Sequence, residues 1–329
     1  MNKIIIPNTD LKISRLAMGC AKLAIERKDT EPQWLLDSFF DLGGNLYDTA
    51  RIYGNSEEII GSWLKNSGKR ESIVLMTKGG HPDIIEKSNL SYGEKIYRRI
   101  RDKIGRPILP KMRNTPQEMR ADLEQSLKCL QTDYIDIYMF HRDDPTMPVG
   151  VLIETMEEFV REGKIRYYGC SNWTTKRMED ADAYCKKKGY RGFVANQTLY
   201  NIGARGMNKM NDSTMKKMDA PMHKYHKQQP ENIAMAYSSV CNGFFHKLYN
   251  NYSYNYEKSE YYSKLNLACL EQMKILMEKY EASLTQIALG FLFTQDFCCI
   301  PLYSPRNVAD MEEAMQAFDI PFTPADYQF

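Results

Sequence analysis

Residues Tyr134–Gly169 read YIDIYMFHRDDPTMPVGVLIETMEEFVREGKIRYYG. The apolar run Tyr134–Phe140 predicts a strand, residues 149–162 an amphipathic helix, and Ile165–Gly169 a second strand. Strand, helix and strand in so short a span make a parallel β-α-β unit, and the same rhythm continues in both directions. Upstream, strands are expected at Leu16–Gly19, Asn45–Asp48 and Ser72–Thr77. Helices follow them: one opens at Pro32, carries Trp34, Leu35, Phe39 and Leu42, and stops at Gly43-Gly44; the others cover 56–65 and 116–129. Downstream, strands are expected at Gly192–Asn196, Ile233–Tyr237 and Phe297–Leu302, and helices at about 174–188, 214–228, 259–280, 283–295 and 306–318. Residues 3–6 and 11–13 read as a hairpin around Pro7-Asn8-Thr9-Asp10. Eight β-then-α units predict a closed parallel (β/α)8 barrel of the TIM type, with an N-terminal β-hairpin. A doubly wound dinucleotide-binding sheet would want G-x-G-x-x-G after an early strand, and no such motif occurs. With no Pro/Gly/Ser-rich linker, residues 1–329 read as one domain.

Composition narrows the functional classes. The 329 residues are 43% apolar and 26% charged, with a formal net charge of +2. That balance supports neither nucleic acid nor a membrane surface as a partner. The apolar run before Pro7 is only three residues long, Ile4–Ile6, and no apolar run approaches the ~18 residues of a membrane span. The expected location is the cytoplasm. The eight cysteines form no C-x-x-C pair and most lie in apolar stretches, so they read as buried free thiols. The five histidines include no H-x-x-x-H pair, which argues against a metal centre. Composition is silent on oligomeric state.

Three segments interrupt the rhythm, and each follows a strand, which places it on the catalytic face of a barrel. Residues 81–115 hold nine Lys/Arg against four Asp/Glu, with Tyr92, Ile96, Ile100 and Ile104 at helical spacing. Residues 198–213 form the second and 241–258, rich in Tyr and Asn, the third. They read as long βα-loops able to act as lids.

Polar residues stand where the strands end. Asp48 closes the second strand and Tyr53 follows it; Lys78 closes the third and His141 the fourth. Neighbouring barrel strands run about 5 Å apart, so four side chains from three strand ends can share a pocket. Tyrosine titrates near pH ~10, too high for an efficient acid at neutrality, and a nearby ammonium lowers that value. Asp48 can hold Lys78, and a polar donor such as His141 can orient a carbonyl oxygen.

The stretch Gly43-Gly44-Asn45-Leu46-Tyr47-Asp48-Thr49-Ala50-Arg51-Ile52-Tyr53-Gly54-Asn55-Ser56-Glu57 resembles the signature of the aldo-keto reductase family. Thr77-Lys78-Gly79 resembles its lysine motif and Asp133–His141 its histidine strand. The resemblance runs in order along nearly the whole chain. It implies Tyr53 as proton donor, Asp48 and Lys78 tuning it, His141 orienting the carbonyl, and hydride transfer from NADPH. It further implies Ser171, Asn172 and Gln197 on the nicotinamide carboxamide, and Tyr237 stacked on the ring. Ser304 and Arg306 would meet the adenosine 2′-phosphate, which favours NADP(H), with NAD(H) the alternative. Two departures stand out: Arg306 is the only basic residue of its segment, and Ala314 stands where the family often has Asn. Arg142-Asp143-Asp144 after His141 makes the pocket mouth polar and points to a small polar or sugar-like carbonyl substrate. Against it stands an apolar pocket set by Trp173 and Phe244, in which Arg142 and Asp143 merely pair at the rim. A different class, a cofactor-sensing barrel without catalysis, and a metal-dependent barrel using His81, His141, Asp143 and Asp144 are the remaining readings.

Overall fold

The computed structural model describes residues 3–23, 31–82, 111–208, 210, 212–253 and 255–328. The expected helix through Tyr92, Ile96, Ile100 and Ile104 lies outside them. Eight parallel strands close a barrel: β3 (Ala17–Gly19), β4 (Leu46–Asp48), β5 (Val74–Gly79), β6 (Ile135–Phe140), β7 (Ile165–Ser171), β8 (Ala195–Leu199), β9 (Ile233–Tyr237) and β10 (Cys299–Tyr303). The ring closes where Leu302 pairs with Ala17 and Tyr303 with Met18. Two short antiparallel strands, β1 (Lys3–Ile5) and β2 (Lys12–Ser14), form the expected hairpin.

Side chains alternate between two apolar layers, as strand geometry requires. Ile137 and Met139 of β6 join Leu46, Val74, Met76, Met235 and Ile300 inside the barrel, whereas Tyr138 and Phe140 face outward to the helices. Ile6, Leu11 and Ile13 of the hairpin belong to the interior layer and stopper the barrel's N-terminal end. Asn45 ties the hairpin down, accepting from the Ser14 amide at 2.7 Å and donating to the Lys12 carbonyl at 2.8 Å.

The α-helices among the described residues are α1 (Pro32–Asp41), α2 (Ser56–Ser67), α3 (Pro116–Leu130), α4 (Val149–Arg161), α5 (Thr175–Lys188), α6 (Ala220–Gln228), α7 (Phe244–Tyr249), α8 (Lys264–Tyr280), α9 (Leu284–Phe293) and α10 (Val308–Gln316). Local chemistry sets their starts. Thr115 and Glu118 make a reciprocal capping box ahead of Pro116 on α3.

Several boundaries differ from the sequence expectation. β8 begins three residues later than expected, because Gly192 takes a left-handed turn (φ 81°) and buried Phe193 and Val194 belong to the approach. Of residues 214–228 only Ala220–Gln228 is helical: Asp219 caps α6, while Lys217 runs beside Leu199 as an isolated parallel bridge. The long helix expected over 259–280 starts at Lys264, behind the cap Ser263. The last one starts at Val308, so Arg306 precedes its cap, Asn307. All eight cysteines are free. Among the described residues no helix is long and apolar enough to cross a membrane, and no His/Cys/Asp/Glu group could hold a metal.

One buried histidine on α6 gives the fold a pH dependence. His226 is 2% exposed. Its Nε2 accepts from Asn196 Nδ2 (3.1 Å) and its Nδ1 donates to the Asn232 carbonyl (2.9 Å), an arrangement that suits the neutral ring. Burial pulls its pKa from 6.5 down to about 4. Between those values the unfolded chain binds more protons, so this contribution is complete above about pH 6.5 and is lost as pH falls. The loss amounts to about 3 kcal/mol. Denaturant midpoints measured across that window should fall with pH, and His226→Gln should make the slope shallower; an unchanged slope would show that His226 is not held neutral.

Candidate active site

The barrel's C-terminal rim is built by continuing the strand ladder into the loops. Asp48 pairs in register with Met76, and beyond the strand end Thr49 N–H donates to Met76 O (2.9 Å) and Arg51 N–H to Lys78 O (3.3 Å). Lys78 lies two residues past Met76, on the same inward face. Its Nζ donates to Asp48 Oδ1 at 2.6 Å and to the Thr49 carbonyl at 2.7 Å, and the side chain is fully buried. The ammonium also lies 5.0 Å from the centroid of the Tyr53 ring. Tyr53 meets His141 edge to face, with centroids 5.6 Å apart. The four residues marked at strand ends therefore meet in one place.

Two glycines carry β5 out of this cluster. A Cβ on Gly79 would meet the Tyr138 hydroxyl at 2.1 Å, and Gly80 adopts φ +80°. The turn brings His81 to the cleft, its ring centroid 4.8 Å from that of His141.

Burial dominates the electrostatics. It pushes the Tyr53 phenol above its ordinary value, while the Lys78 ammonium pulls the other way and wins back only part of the shift. The expectation of a net lowering by Lys78 is thereby corrected: Tyr53 holds its proton firmly at neutral pH. Burial also disfavours the charge on Lys78, but Asp48 and Tyr53 outweigh it and the ammonium persists. His141 is held well below 6.5 by burial and by the positive charges of Lys78 and Arg142, so its imidazole is neutral.

A second network adjoins the first. Gln197 Nε2 donates to Asp48 Oδ1 (3.0 Å). Asn172, at φ 60°, donates from its backbone to Gln197 O (3.0 Å) and from Nδ2 to Ser171 Oγ (2.9 Å). Its Oδ1 accepts from the Tyr237 hydroxyl (2.7 Å) and from the Lys216 amide (3.0 Å). Ser171, Asn172, Gln197 and Tyr237 line one continuous cleft of about 680 Å³ with Asp48, Tyr53 and His141. Ser304 and Arg306 line the same cleft, and Ser304 Oγ donates to Gly19 O at 2.6 Å.

Some expectations fail here. Arg142 and Asp143 do not pair with each other, and both are buried. Arg142 binds Thr214 (2.9 Å) and Asp212 (3.2 Å), fastening the segment after β8, while Asp143 takes Arg177 in a forked pair. Trp173 and Phe244 are 0% and 2% exposed and pack into the core rather than lining the cleft. Sequence reasoning brought His81 and His141 together only for a metal site, and it did not foresee the positive φ of Ser238, Asn242 and Gly243 along the cleft wall. It also overlooked Asp310, which takes the Arg306 guanidinium in a forked pair. Only the last had a signal, the i,i+4 spacing of opposite charges.

A closed (β/α)8 barrel with a buried Asp–Lys pair, a tyrosine and a neutral histidine at one rim defines an oxidoreductase class. The chain belongs to the aldo/keto reductase family, whose model matches residues 15–328. It is 26% identical over 324 residues to the uncharacterized oxidoreductase YrpG of Bacillus subtilis (strain 168), covering 95% of this chain and 89% of that protein. It is 28% identical over 289 residues to the aldo-keto reductase YhdN of the same organism, covering 83% and 74%. With the aryl-alcohol dehydrogenase (NADP(+)) of Phanerodontia chrysosporium it shares 29% identity over 211 residues, covering 61% and 51%. The chain likewise spans about half the length of several other relatives it matches.

Proposed function

We propose that the chain, acting as a single barrel domain in the cytoplasm, reduces an aldehyde or ketone to an alcohol with NADP(H) or NAD(H). The observation that carries this reading is the buried Asp48–Lys78–Tyr53 group facing a neutral His141 across one cleft. The cleft residues fit a nicotinamide: Ser171, Asn172 and Gln197 offer both donors and acceptors to an amide, and Tyr237 offers a flat ring. When bound, the reduced nicotinamide supplies a hydride to the carbonyl carbon. His141 donates a hydrogen bond to the carbonyl oxygen and orients it. Tyr53 gives up its phenolic proton as that oxygen gains charge, and Lys78 stabilises the phenolate left behind. Asp48 keeps the ammonium charged and aimed. The test is substrate-dependent loss of NADPH or NADH with small aldehydes; nucleotide binding without turnover would favour the cofactor-sensing reading instead.

The substrate proposal is a small polar or sugar-like carbonyl. Support comes from His81, His141 and Arg142 lining the cleft, since a site built for hydroxyls rejects analogues that leave its polar groups unpaired. Ile52, Met215 and Phe245 line the same cleft, and the name of the Phanerodontia relative refers to aryl alcohols, which favours an aromatic substrate. A matched panel decides: kcat/KM for small sugars and hydroxy-aldehydes is expected to exceed that for aryl and long alkyl aldehydes. The reverse order would remove the polar reading and leave the reductase reading intact.

A further inference from the structure

The cleft wall just past β10 holds an ion pair that bears on which dinucleotide the protein takes. Arg306 stands just past β10, and its guanidinium is bound by the Asp310 carboxylate on the first turn of α10. Nε donates to Oδ2 at 2.7 Å and Nη2 to Oδ1 at 3.1 Å. The Arg306 backbone N–H donates to the same Oδ2 at 3.1 Å. Asp310 is itself fixed, because its own amide is capped by Asn307 Oδ1 at 2.8 Å. Its side chain is 12% exposed against 69% for Arg306, and both residues line the cleft beside Ser304.

Such forked guanidinium–carboxylate pairs are strong and geometrically demanding. The pair carries no net charge, and the Nε–Nη2 edge of the guanidinium, one of its two donor forks, is taken by Asp310. A doubly charged 2′-phosphate gripped by that edge would have to displace Asp310, and one held by the remaining Nη1 would lie beside the Asp310 carboxylate and be repelled by it. A ribose with free 2′- and 3′-hydroxyls needs neither change, since its hydroxyls donate to a carboxylate directly. An acidic residue on the ribose hydroxyls marks NAD sites in other folds, whereas a free arginine marks NADP sites. From this we infer that Asp310 is a specificity-determining residue, which by occupying Arg306 turns the adenosine end of the cleft toward the 2′,3′-diol of NAD(H) and away from the 2′-phosphate of NADP(H). The inference rests on the reading of the cleft as a nicotinamide-dinucleotide site. It also reverses the preference that Arg306 alone suggests.

The test is the ratio of dissociation constants for NADH and NADPH, read by fluorescence titration of the full chain, in the wild type, Asp310→Asn, Arg306→Ala and the double variant. The wild type should bind NADH at least as tightly as NADPH. Asp310→Asn should free the guanidinium, tighten NADPH by about tenfold and weaken NADH, consistent with the range for a hydrogen bond to a charged group. Arg306→Ala alone should change NADPH little, and in the double variant the gain for NADPH should vanish. A wild type that binds NADPH more than about tenfold tighter, or an Asp310→Asn ratio that does not move, would overturn the inference while the reductase reading stands. Failure of both nucleotides to bind any variant would overturn the reductase reading and the inference together. Thermal unfolding of each variant guards the result; both side chains are at the surface end of the cleft, and neither belongs to the apolar core.

Discussion

Tyr53→Phe is expected to lower kcat/KM for carbonyl reduction by about 10²- to 10⁴-fold, the range ascribed to a positioned general acid, with nucleotide affinity nearly unchanged. The substitution removes one proton-bearing oxygen and keeps the ring, so the edge-to-face contact with His141 survives. Lys78 is not stranded by it, because Asp48 Oδ1 and the Thr49 carbonyl still accept from its Nζ. The effect should therefore fall on turnover and leave stability alone. Steady-state kinetics beside a nucleotide titration separate the two. Activity within a few fold of wild type would take Tyr53 out of the mechanism.

Lys78→Met should be severe on two counts. The methionine leaves Asp48 as a buried carboxylate with Gln197 as its remaining side-chain donor, and breaking a buried pair from one side costs about 3–5 kcal/mol. It also deprives Tyr53 of the cation that opposes its burial, so the phenol becomes a still weaker acid. The two losses can be told apart with Lys78→Met/Asp48→Asn. Removing the orphaned charge should restore much of the stability, as read by denaturant unfolding, without restoring turnover. A double variant that recovers both would mean that Lys78 matters only for folding. A single variant that keeps both would contradict the pairing itself.

The sequence carried the barrel because its signal is redundant: β-α-β units recur, β5 opens with the apolar run Val74-Leu75-Met76, and β6 is apolar except at Asp136. The Asp48, Tyr53, Lys78 and His141 positions were legible for a related reason. Asp48, Lys78 and His141 stand at or just past strand ends that adjacent parallel strands in register bring together, and Tyr53 follows Asp48 by five residues. Legibility failed where tertiary contacts override local pattern. Phe193 and Val194 look like strand, but the left-handed Gly192 and the pairing of Ala195 with Ile233 delay it. Residues 214–219 look helical, yet the backbone hydrogen bonds of Leu199 to Lys216 and Met218 keep them extended. The sign of the Tyr53 shift was misjudged because charge neighbours can be read from a sequence and depth of burial cannot. Arg142 and Asp143 are adjacent in the chain, but their partners, Asp212 and Arg177, lie tens of residues away.

The free thiols have a practical consequence. The reactive species of a cysteine is its thiolate, and burial suppresses it throughout this chain. Cys129, beside Glu58, is pushed up to about 11, as burial does to Cys185 and Cys298; Cys269 reaches about 12. Cys170, Cys241 and Cys299 stand higher still, and Cys20 is fully buried. At neutral pH even the first of these is deprotonated about once in 10⁴ molecules. Alkylating reagents and peroxides thus find little to attack while the barrel is folded. A single cysteine introduced in place of an exposed side chain such as Lys176, 76% exposed on α5, would react first. Modification of the six buried thiols is therefore expected to report on unfolding, and partly exposed Cys129 and Cys298 are the native positions to replace before such labelling.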